Sequence, residues 1–538
     1  MKLETLVLPN QNKVMQSYNN DKEFIHTYFD YENKDASFQE RLNELSERTF
    51  KRSELANVIR SYMEPFGVSE LAEKHIAELA ADGVAVVGGQ QAGLLTGPLY
   101  SVHKAISVIL LAKKQREDLG IPVIPVFWVA GEDHDLNEIN HVHTVTDQKV
   151  TKNQYREKYV LKLMASDASY EQERMSTFVK EIFGTYGETA YTKDLLNDVL
   201  AAVAKEETFT GFFVRLMNGL FQEEGLLFLD AAYGPLRKLE SEYFTRLILG
   251  SDKIAQVVLK KEERFAAGGF GHPIEVQADG AHLFYVHETG RVLLSKENGD
   301  FINDSVGIRF TEEELLEIAR KNPRLLSNNV VTRPIMQDFV FPVLAFIGGP
   351  GEIAYWAILK EAFHHLHMKM PIIVPRMSLT LVTARTAQAL QTKSFTVEDV
   401  MAGKVIAARE QEIDELRDDR LNLVVDETMS KLKGQYEEIR GLLEEQDLKM
   451  DELLKKNVGF HSMQFEYLKE KVEDAFLLKH DTLLRKYGEM ESELYPEGSL
   501  QERLYTPFAY LNNYGPTLIK DLLRLPYKMD GTHKIIYL

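Results

Sequence analysis

A short apolar run, Val84-Ala85-Val86-Val87, enters a loop punctuated by Gly88, Gly89, Gly93 and Gly97, and residues 99–119 then carry a helical pattern. After Gly120 a second apolar run, 123–128, ends at Gly131 and the charged cluster Glu132-Asp133-His134-Asp135. Strand, helix and strand in that order make a βαβ unit, whose two strands run parallel because the helix carries the chain back. Parallel sheets are covered by helices on both faces, so the chain reads as α/β with a doubly wound parallel sheet. Further buried strands are read at 225–230, 343–347 and 372–374; the first ends at Asp230, the second at Gly348-Gly349-Pro350-Gly351.

The remaining sequence is arranged around this core. At 538 residues the chain exceeds what one hydrophobic core fills. Residues 17–81, with Leu42, Leu45, Phe50, Leu55, Ile59 and Met63 at helical spacing, read as two or three covering helices. Stretches at about 140–220 and 240–330 read as insertions over the sheet, completing a core of 1–384. From 385 to 494 the pattern is long helix, with Val425, Met429, Leu432, Tyr436, Ile439 and Leu443 on one heptad seam. A turn at Asn457-Val458-Gly459 would lead into a second helix carrying Phe465, Leu468, Val472 and Phe476, giving an antiparallel hairpin that pairs with itself or with a second subunit. The other reading of this region is one amphipathic helix lying on the main body. Residues 495–538, compact and aromatic-rich, are expected to fold back onto the core.

Composition narrows the function. Lys and Arg number 63 against 82 Asp and Glu, a formal charge of −19, which argues against nucleic acid as a partner. There is no cysteine, so disulfides, a thiol nucleophile and thiolate-bound zinc are excluded. The stretch 1–10 does not read as a secretion signal, and no apolar run reaches membrane-spanning length, so a cytoplasmic protein away from the membrane is expected.

The polar residues gather at strand ends, where open parallel sheets place ligands. Gln90, Gln91, Thr96, Tyr100, His103 and Lys104 follow the first strand, although Gly88 and Gly89 match neither a dinucleotide fingerprint nor a P-loop. These glycines serve equally well for tight strand-to-helix packing. Beyond the second strand, carboxylates beside His134 suit general base work or recognition of an ammonium group. His134, His141 and a carboxylate could hold a metal, but His at this spacing more often bonds locally, and no metal is assigned. His364, His365 and His367 read as a solvated helix face. A third cluster, Arg333, Gln337 and Asp338 followed by Gly348, Gly349, Glu352 and Tyr355, adds a guanidinium able to grip a carboxylate with two hydrogen bonds.

Several motifs together carry a resemblance over essentially the whole chain. They are Gly89-Gln90-Gln91-Ala92-Gly93-Leu94 with Gly97-Pro98-Leu99-Tyr100 and Lys104; Phe127-Trp128-Val129-Ala130-Gly131-Glu132-Asp133-His134-Asp135; Arg333-Pro334 through Gln337-Asp338; Gly348-Gly349-Pro350-Gly351-Glu352-Ile353-Ala354-Tyr355; Val374-Pro375-Arg376; and Leu500-Gln501-Glu502-Arg503. The chain resembles the BshC family of bacillithiol biosynthesis. The resemblance implies a Rossmann-like parallel-sheet core similar to class I aminoacyl-tRNA synthetases, two connecting insertions and a coiled-coil domain that mediates homodimerisation. It implies addition of L-cysteine to glucosaminyl malate by amide formation, with Asp133, His134 and Lys104 as catalytic candidates. Gln90, Gln91, Gly93, Gly97, Tyr100, His103, Trp128, Glu132, Asp135, Arg333, Gln337, Asp338, Gly348, Gly349, Glu352, Tyr355 and Arg376 are the matching substrate-binding candidates.

In these roles the first loop with Gln90, Gln91 and Lys104 would stabilise an anionic or phosphorylated group. Asp133 and His134 would hold or deprotonate an amine, and Arg333 would meet a carboxylate such as the malate arm. ATP or ADP with magnesium is implied as well, together with an ADP site associated with the helical domain, for which Arg503, Asn512 and Tyr514 are the candidates; tail packing is their other reading. The chain departs from class I synthetases and from mycothiol cysteine ligase, which it resembles distantly. It has no HIGH-type or KMSKS-type motif as such, although 374–378 lies where the second would be sought, and it has no cysteine to hold zinc. Two rival readings stand beside this one: another ATP-dependent carbon–nitrogen ligase or nucleotidyl transferase, and a dimeric coiled-coil scaffold without catalysis.

Overall fold

The computed structural model describes residues 1–8, 12–157 and 163–538. Pro9 and Asn10, the end of the stretch read for a signal, lie outside these residues, as do 158–162 within the first insertion. The chain divides into two compact units, Met1–Leu381 with Ser499–Leu538, and Val382–Gly498.

The first unit is built on five parallel strands: β1 (Val84–Gln90), β2 (Val123–Val129), β3 (Leu227–Asp230), β4 (Val343–Gly348) and β5 (Ile372–Pro375). Their spatial order is β5-β4-β1-β2-β3, so the chain moves outward one way from β1 and then returns to its other side. That reversal makes the β1/β4 boundary the topological switch point of a doubly wound sheet. Most residues of β1 and all of β2, β3 and β4 are buried, as expected of strands covered on both faces. Helix Tyr100–Leu119 follows β1 and ends at Gly120, whose φ of +67° supplies the left-handed C-cap.

Gly88 and Gly89 lie inside β1 and not in the loop after it. A Cβ on Gly88 would come within 2.7 Å of Val108 Cγ2, and one on Gly89 within 2.7 Å of the Trp128 carbonyl oxygen. Both glycines therefore serve close packing, the first against the covering helix and the second against β2.

The region 17–81 holds more helices than the two or three expected, running from Lys13–Asn20 to Glu70–Ala81. Here Arg41, fully buried, donates to Asp338 Oδ1 at 2.5 Å and to the carbonyls of Val343 at 3.0 Å and Lys369 at 2.9 Å. Arg48 donates to the other Asp338 oxygen at 2.6 Å. These bonds fasten the amino-terminal helices to the entry of β4. The second insertion opens with the long helix Ser241–Ala267 and adds an antiparallel sheet of five strands, from Gly280–His287 and Gly290–Glu297 to Leu326–Asn328, which the sequence pattern does not reveal. At the chain ends, Lys2–Leu6 pairs antiparallel with His533–Tyr537, in one sheet with Ser378–Val382.

The second unit contains the hairpin of Arg420–Glu445 and Asp451–Lys479. Its pairings run antiparallel: Arg440 with Asp451, Tyr436 with His461, and Asp426 with Lys469. The turn lies at 446–450 and not at Asn457-Val458-Gly459, which are helical. Asp447 adopts φ +53°, and the Leu448 N–H reaches back to the Leu443 carbonyl at 2.9 Å. A left-handed residue with a bond back to the last turn terminates the helix, whereas one interior glycine costs a helix only about 1 kcal/mol. His364 and His367 are exposed and His365 half-buried, and His364 Nε2 also lies 2.8 Å from Asp30 Oδ1.

Buried and exposed ion pairs are expected to differ in what they contribute to stability. Arg41→Met leaves the buried Asp338 carboxylate with Arg48 alone and is expected to cost about 3 kcal/mol. Arg60→Met, which breaks an exposed pair with Glu73, is expected to cost under about 1 kcal/mol; urea midpoints of the two variants test the difference. His533 is buried between Ser378 Oγ and Thr380 Oγ1, each at 2.8 Å, and burial pushes its pKa down to about 4. Its folded pKa is below the unfolded value, so the unfolded chain binds the extra proton, and the stability present above about pH 6.5 is lost as pH falls toward 4. Melting temperatures from pH 7 to 5 are expected to fall, with a shallower slope in His533→Gln.

Candidate functional site

A cavity of about 510 Å³ opens at the carboxyl ends of β1, β2 and β4, over the switch point. Gly89, Gln90 and Trp128 line it from β1 and β2, Gly349 from the end of β4, and Gln91 from the loop after β1. Tyr100 and Lys104 enter from the helix after β1, and Arg333 and Gln337 from helix Thr332–Val340. Glu352, Tyr355, Arg376 and the exposed Arg503 complete the wall.

Lys104 is almost fully buried and reaches into this floor. Its ammonium donates to the Gly89 carbonyl at 2.5 Å, Gln90 Oε1 at 3.1 Å and Glu352 Oε2 at 2.5 Å. Burial lowers its pKa, while the Glu352 charge acts in the other direction. The same Glu352 oxygen accepts the Gly349 N–H at 2.7 Å, so a side-chain carboxylate occupies the start of helix Pro350–Trp356. In the first loop the N–H groups of Gly93, Leu94 and Gly97 bond to the carbonyls of Gln91, Ile139 and Leu94. The Gly349, Gly93, Leu94 and Gly97 amides are thus engaged within the protein.

Asp133 sits at one edge of the crevice. Both of its carboxylate oxygens are 3.3 Å from Arg333 Nη1, Gln91 Nε2 is 3.4 Å from one of them, and Arg291 Nη1 is 3.7 Å from the other. Burial opposes charge on Arg333, but Asp133, Tyr355 and Glu132 hold its pKa above the ordinary value. Across the cavity, Glu502 grips Arg376 with bonds of 2.9 and 2.8 Å and accepts from His103 Nδ1 at 2.7 Å and Ser378 Oγ at 2.7 Å. Burial alone would raise the Glu502 pKa; Arg376 and His103 bring it well below the usual carboxylate range.

Other expected site residues lie elsewhere. His134 and Asp135 line an adjoining cavity of about 400 Å³ that shares Gln91, Asp133 and Arg333 with the first. Glu132 is fully buried and pairs with Arg237. Asp338 is held by Arg41 and Arg48, and His103 lies behind Arg376 against Glu502. Gly93 and Gly97 pack on each other, a Cβ on Gly93 coming within 2.7 Å of Gly97 Cα, and Gly348 ends β4 without lining either cavity. Asn512 is buried, accepting from Thr192 Oγ1 at 2.8 Å and donating to the Gly187 carbonyl at 3.1 Å. Tyr514 packs against the hydrophobic core. Of the proposed nucleotide set, only Arg503 lines the crevice. The rings of His141 and His143 meet at 5.2 Å, and among the described residues no group of three or more His, Asp or Glu is gathered as a metal site requires.

Sequence reasoning missed Arg291, His282 and Glu138. Arg291 and His282 stand on the hairpin of Gly280–His287 and Gly290–Glu297, and the Glu288-Thr289-Gly290 turn between two apolar runs was its available signal. Glu138, which accepts from Gln91 Nε2 at 2.6 Å, sits in a polar stretch without periodicity.

Comparison with known proteins places this geometry in a family. Residues 1–377 match the bacillithiol biosynthesis BshC N-terminal Rossmann-like domain, and residues 379–538 match the BshC C-terminal coiled-coil domain. A protein of Lysinibacillus sphaericus named as a proposed cysteine ligase BshC is 45% identical over 538 residues, covering 100% of both chains. One of the same name from Bacillus velezensis is 37% identical over 541 residues, again covering 100% of both. A crystal structure described as a proposed arginyl-tRNA synthetase from Campylobacter jejuni aligns with 89% of this chain and 100% of its own at 11% identity, and its TM-score of 0.22 carries no argument. With both domain models matched in order along its length, the chain belongs to the BshC family of bacillithiol biosynthesis.

Proposed function

We propose that the chain is a cysteine ligase that joins L-cysteine to the amine of glucosaminyl malate, the reaction implied by its family. The observation that carries the reading is the crevice itself, which sets cations beside carboxylates at one switch point: Lys104, Arg333, Arg376 and Arg503 with Asp133, Glu138 and Glu352. Amide formation needs this mixture. The amine must be held and lose a proton, while the carboxyl group and its leaving group carry negative charge.

Asp133 is suited to orient the amine and to receive its proton, being fixed by Arg333 yet open to the cavity. Arg333 would meet a substrate carboxylate, and Lys104 would balance charge developing at the acyl oxygen. A free carboxylate resists attack by an amine, so an activating co-substrate is needed. ATP with magnesium is the proposed one, supplying the leaving group, and its phosphates would meet Arg376 and Arg503. Cysteine selection is proposed to proceed without thiolate-bound zinc.

The chain is further proposed to act in the cytoplasm as a homodimer joined through the helical hairpin. No helix among the described residues is long and apolar enough to cross a membrane. On the hairpin Leu442, Phe460, Met463 and Tyr467 are each more than half exposed, at 57, 51, 57 and 55%, an apolar surface that a partner would cover.

Purified protein incubated with L-cysteine, glucosaminyl malate, ATP and magnesium is expected to yield bacillithiol by mass spectrometry, and absence of product together with normal bacillithiol in a deletion strain would refute the assignment. Asp133→Asn is expected to lower kcat/KM by about 100-fold at unchanged melting temperature, whereas a non-catalytic scaffold would not register the change. Light scattering is expected to give twice the 61.5 kDa chain mass, falling to one chain in the double variant Phe460→Glu, Met463→Glu.

A further inference from the structure

The cavity that adjoins the crevice has no role in the reading above, yet its polar groups are arranged as a binding site. His282 is only 4% exposed and lines this cavity from the hairpin of the second insertion. Its backbone has φ +57°, a left-handed conformation rare for a residue of this size. The side-chain amide of Asn329 fixes the imidazole: its oxygen accepts the N–H groups of Val331 at 2.8 Å and Thr332 at 3.2 Å, so its nitrogen faces His282 Nδ1 at 3.1 Å. Nδ1 is therefore the acceptor, and the ring, kept neutral by a pKa that burial pushes down to about 4, carries its proton on Nε2. That Nε2 is buried with no hydrogen-bond partner. An unpaired buried donor is unfavourable, and an oxygen acceptor in the cavity would satisfy it.

Arg291 stands on the same hairpin, 4% exposed. Its Nε is committed to Ser327 Oγ at 2.7 Å and its Nη2 to the Asn328 carbonyl, whereas Nη1 has only the distant His134 Nδ1 at 3.5 Å and Asp133 at 3.7 Å. Two residues that line the cavity thus carry underused donors. Against them stand the acceptors Asp133, Asp135 and Glu275, which outnumber the cations Arg291 and Arg333 by one charge. Donors and acceptors in one small space match a ring of hydroxyl groups, and the excess of carboxylate matches an ammonium.

Resting on the cysteine ligase reading, we propose that this side cavity is the subsite for the amino-sugar ring of the amine substrate, with His282 Nε2 and Arg291 Nη1 donating to ring oxygens and Asp133 receiving the amine. Asp133, Arg333 and Gln91 belong to both cavities. The sugar amine and the activated carboxyl would then approach from opposite sides of that shared wall, where the carbon–nitrogen bond forms. His282 and Arg291 touch the sugar but not the reacting atoms, which makes them specificity residues.

The test is saturation-transfer NMR of glucosaminyl malate, D-glucosamine and L-malate with the full chain, which reads binding without turnover. Saturation is expected on the glucosamine ring protons, and His282→Asn is expected to weaken binding about tenfold, the loss of one buried hydrogen bond. Asparagine tolerates the left-handed backbone and lacks the Nε2 donor. Leu293→Trp gives a second reading, because Leu293 lines the cavity while 45% exposed, and a larger side chain there fills the space without entering the core. Steady-state assays are expected to show KM for glucosaminyl malate raised in both variants with KM for L-cysteine unchanged. Equal binding by wild type and both variants, saturation confined to the malate protons, or no binding at all would overturn the subsite. If the wild type binds the sugar and forms no amide, the subsite stands and the ligase reading fails.

Discussion

The buried ammonium of Lys104 is the contact on which the crevice depends. It bonds the last residues of β1 through the Gly89 carbonyl and Gln90, and the segment after β4 through Glu352. Those two strands are neighbours in the sheet but are separated by more than two hundred residues of chain. Taking an ammonium out of water costs several kcal/mol, and three acceptors in the first shell offset that cost only while both strand ends stay in place. The charge therefore acts as a sensor of correct assembly: any slip of β4 against β1 would leave it unpaired. Gly88 makes the arrangement possible, since a Cβ there would collide with Val108 on the helix that carries Lys104.

Around this clamp the crevice is assembled from remote segments, each tied in by a charge pair. Arg333 and Arg291 converge on Asp133, joining the second insertion to the end of β2. Glu502, in the segment after the helical unit, holds Arg376 from behind and contacts His103 at a sequence separation of 399. The fold of the first unit thus requires residues on both sides of the helical unit. That gives a physical reason for the carboxyl-terminal tail to return to the core: without Glu502, the buried Arg376 guanidinium would lose the carboxylate that grips it.

The βαβ unit and the strand-end clusters were legible in the sequence because they rest on local signals, apolar runs that end in glycine or charge. The glycines themselves were not, since a loop that binds phosphate and a strand that packs closely on a helix use the same residue for the same reason, the lack of a Cβ. The hairpin turn was misplaced because Asn457-Val458-Gly459 looks like a breaker, whereas long helices absorb such residues when a seam holds them. The sheet of the second insertion went unread for lack of a clean alternation, as its strands bury residues irregularly along their length. Arg291 and His282 were lost with it.

Charge clusters were the hardest to read, and the structure shows why. In Glu132-Asp133-His134-Asp135 consecutive residues serve different purposes: the Glu132 side chain is fully buried against Arg237, Asp133 remains 26% exposed at the shared wall of the two cavities, and Asp135 caps the short turn beginning at Leu136. Arg237 must serve both Glu132 and Glu240, and burial raises the Glu240 pKa to about 7, so this cluster is closed within the fold, away from either cavity. Asp338 belongs to the same class, since its carboxylate is closed off by two guanidinium groups. What separates Asp133 from these neighbours is neither residue type nor sequence position. It has partners enough to stay fixed and exposure enough to meet a ligand, and that balance is set by the packing of the insertion against the sheet, a long-range property that no stretch of four residues encodes.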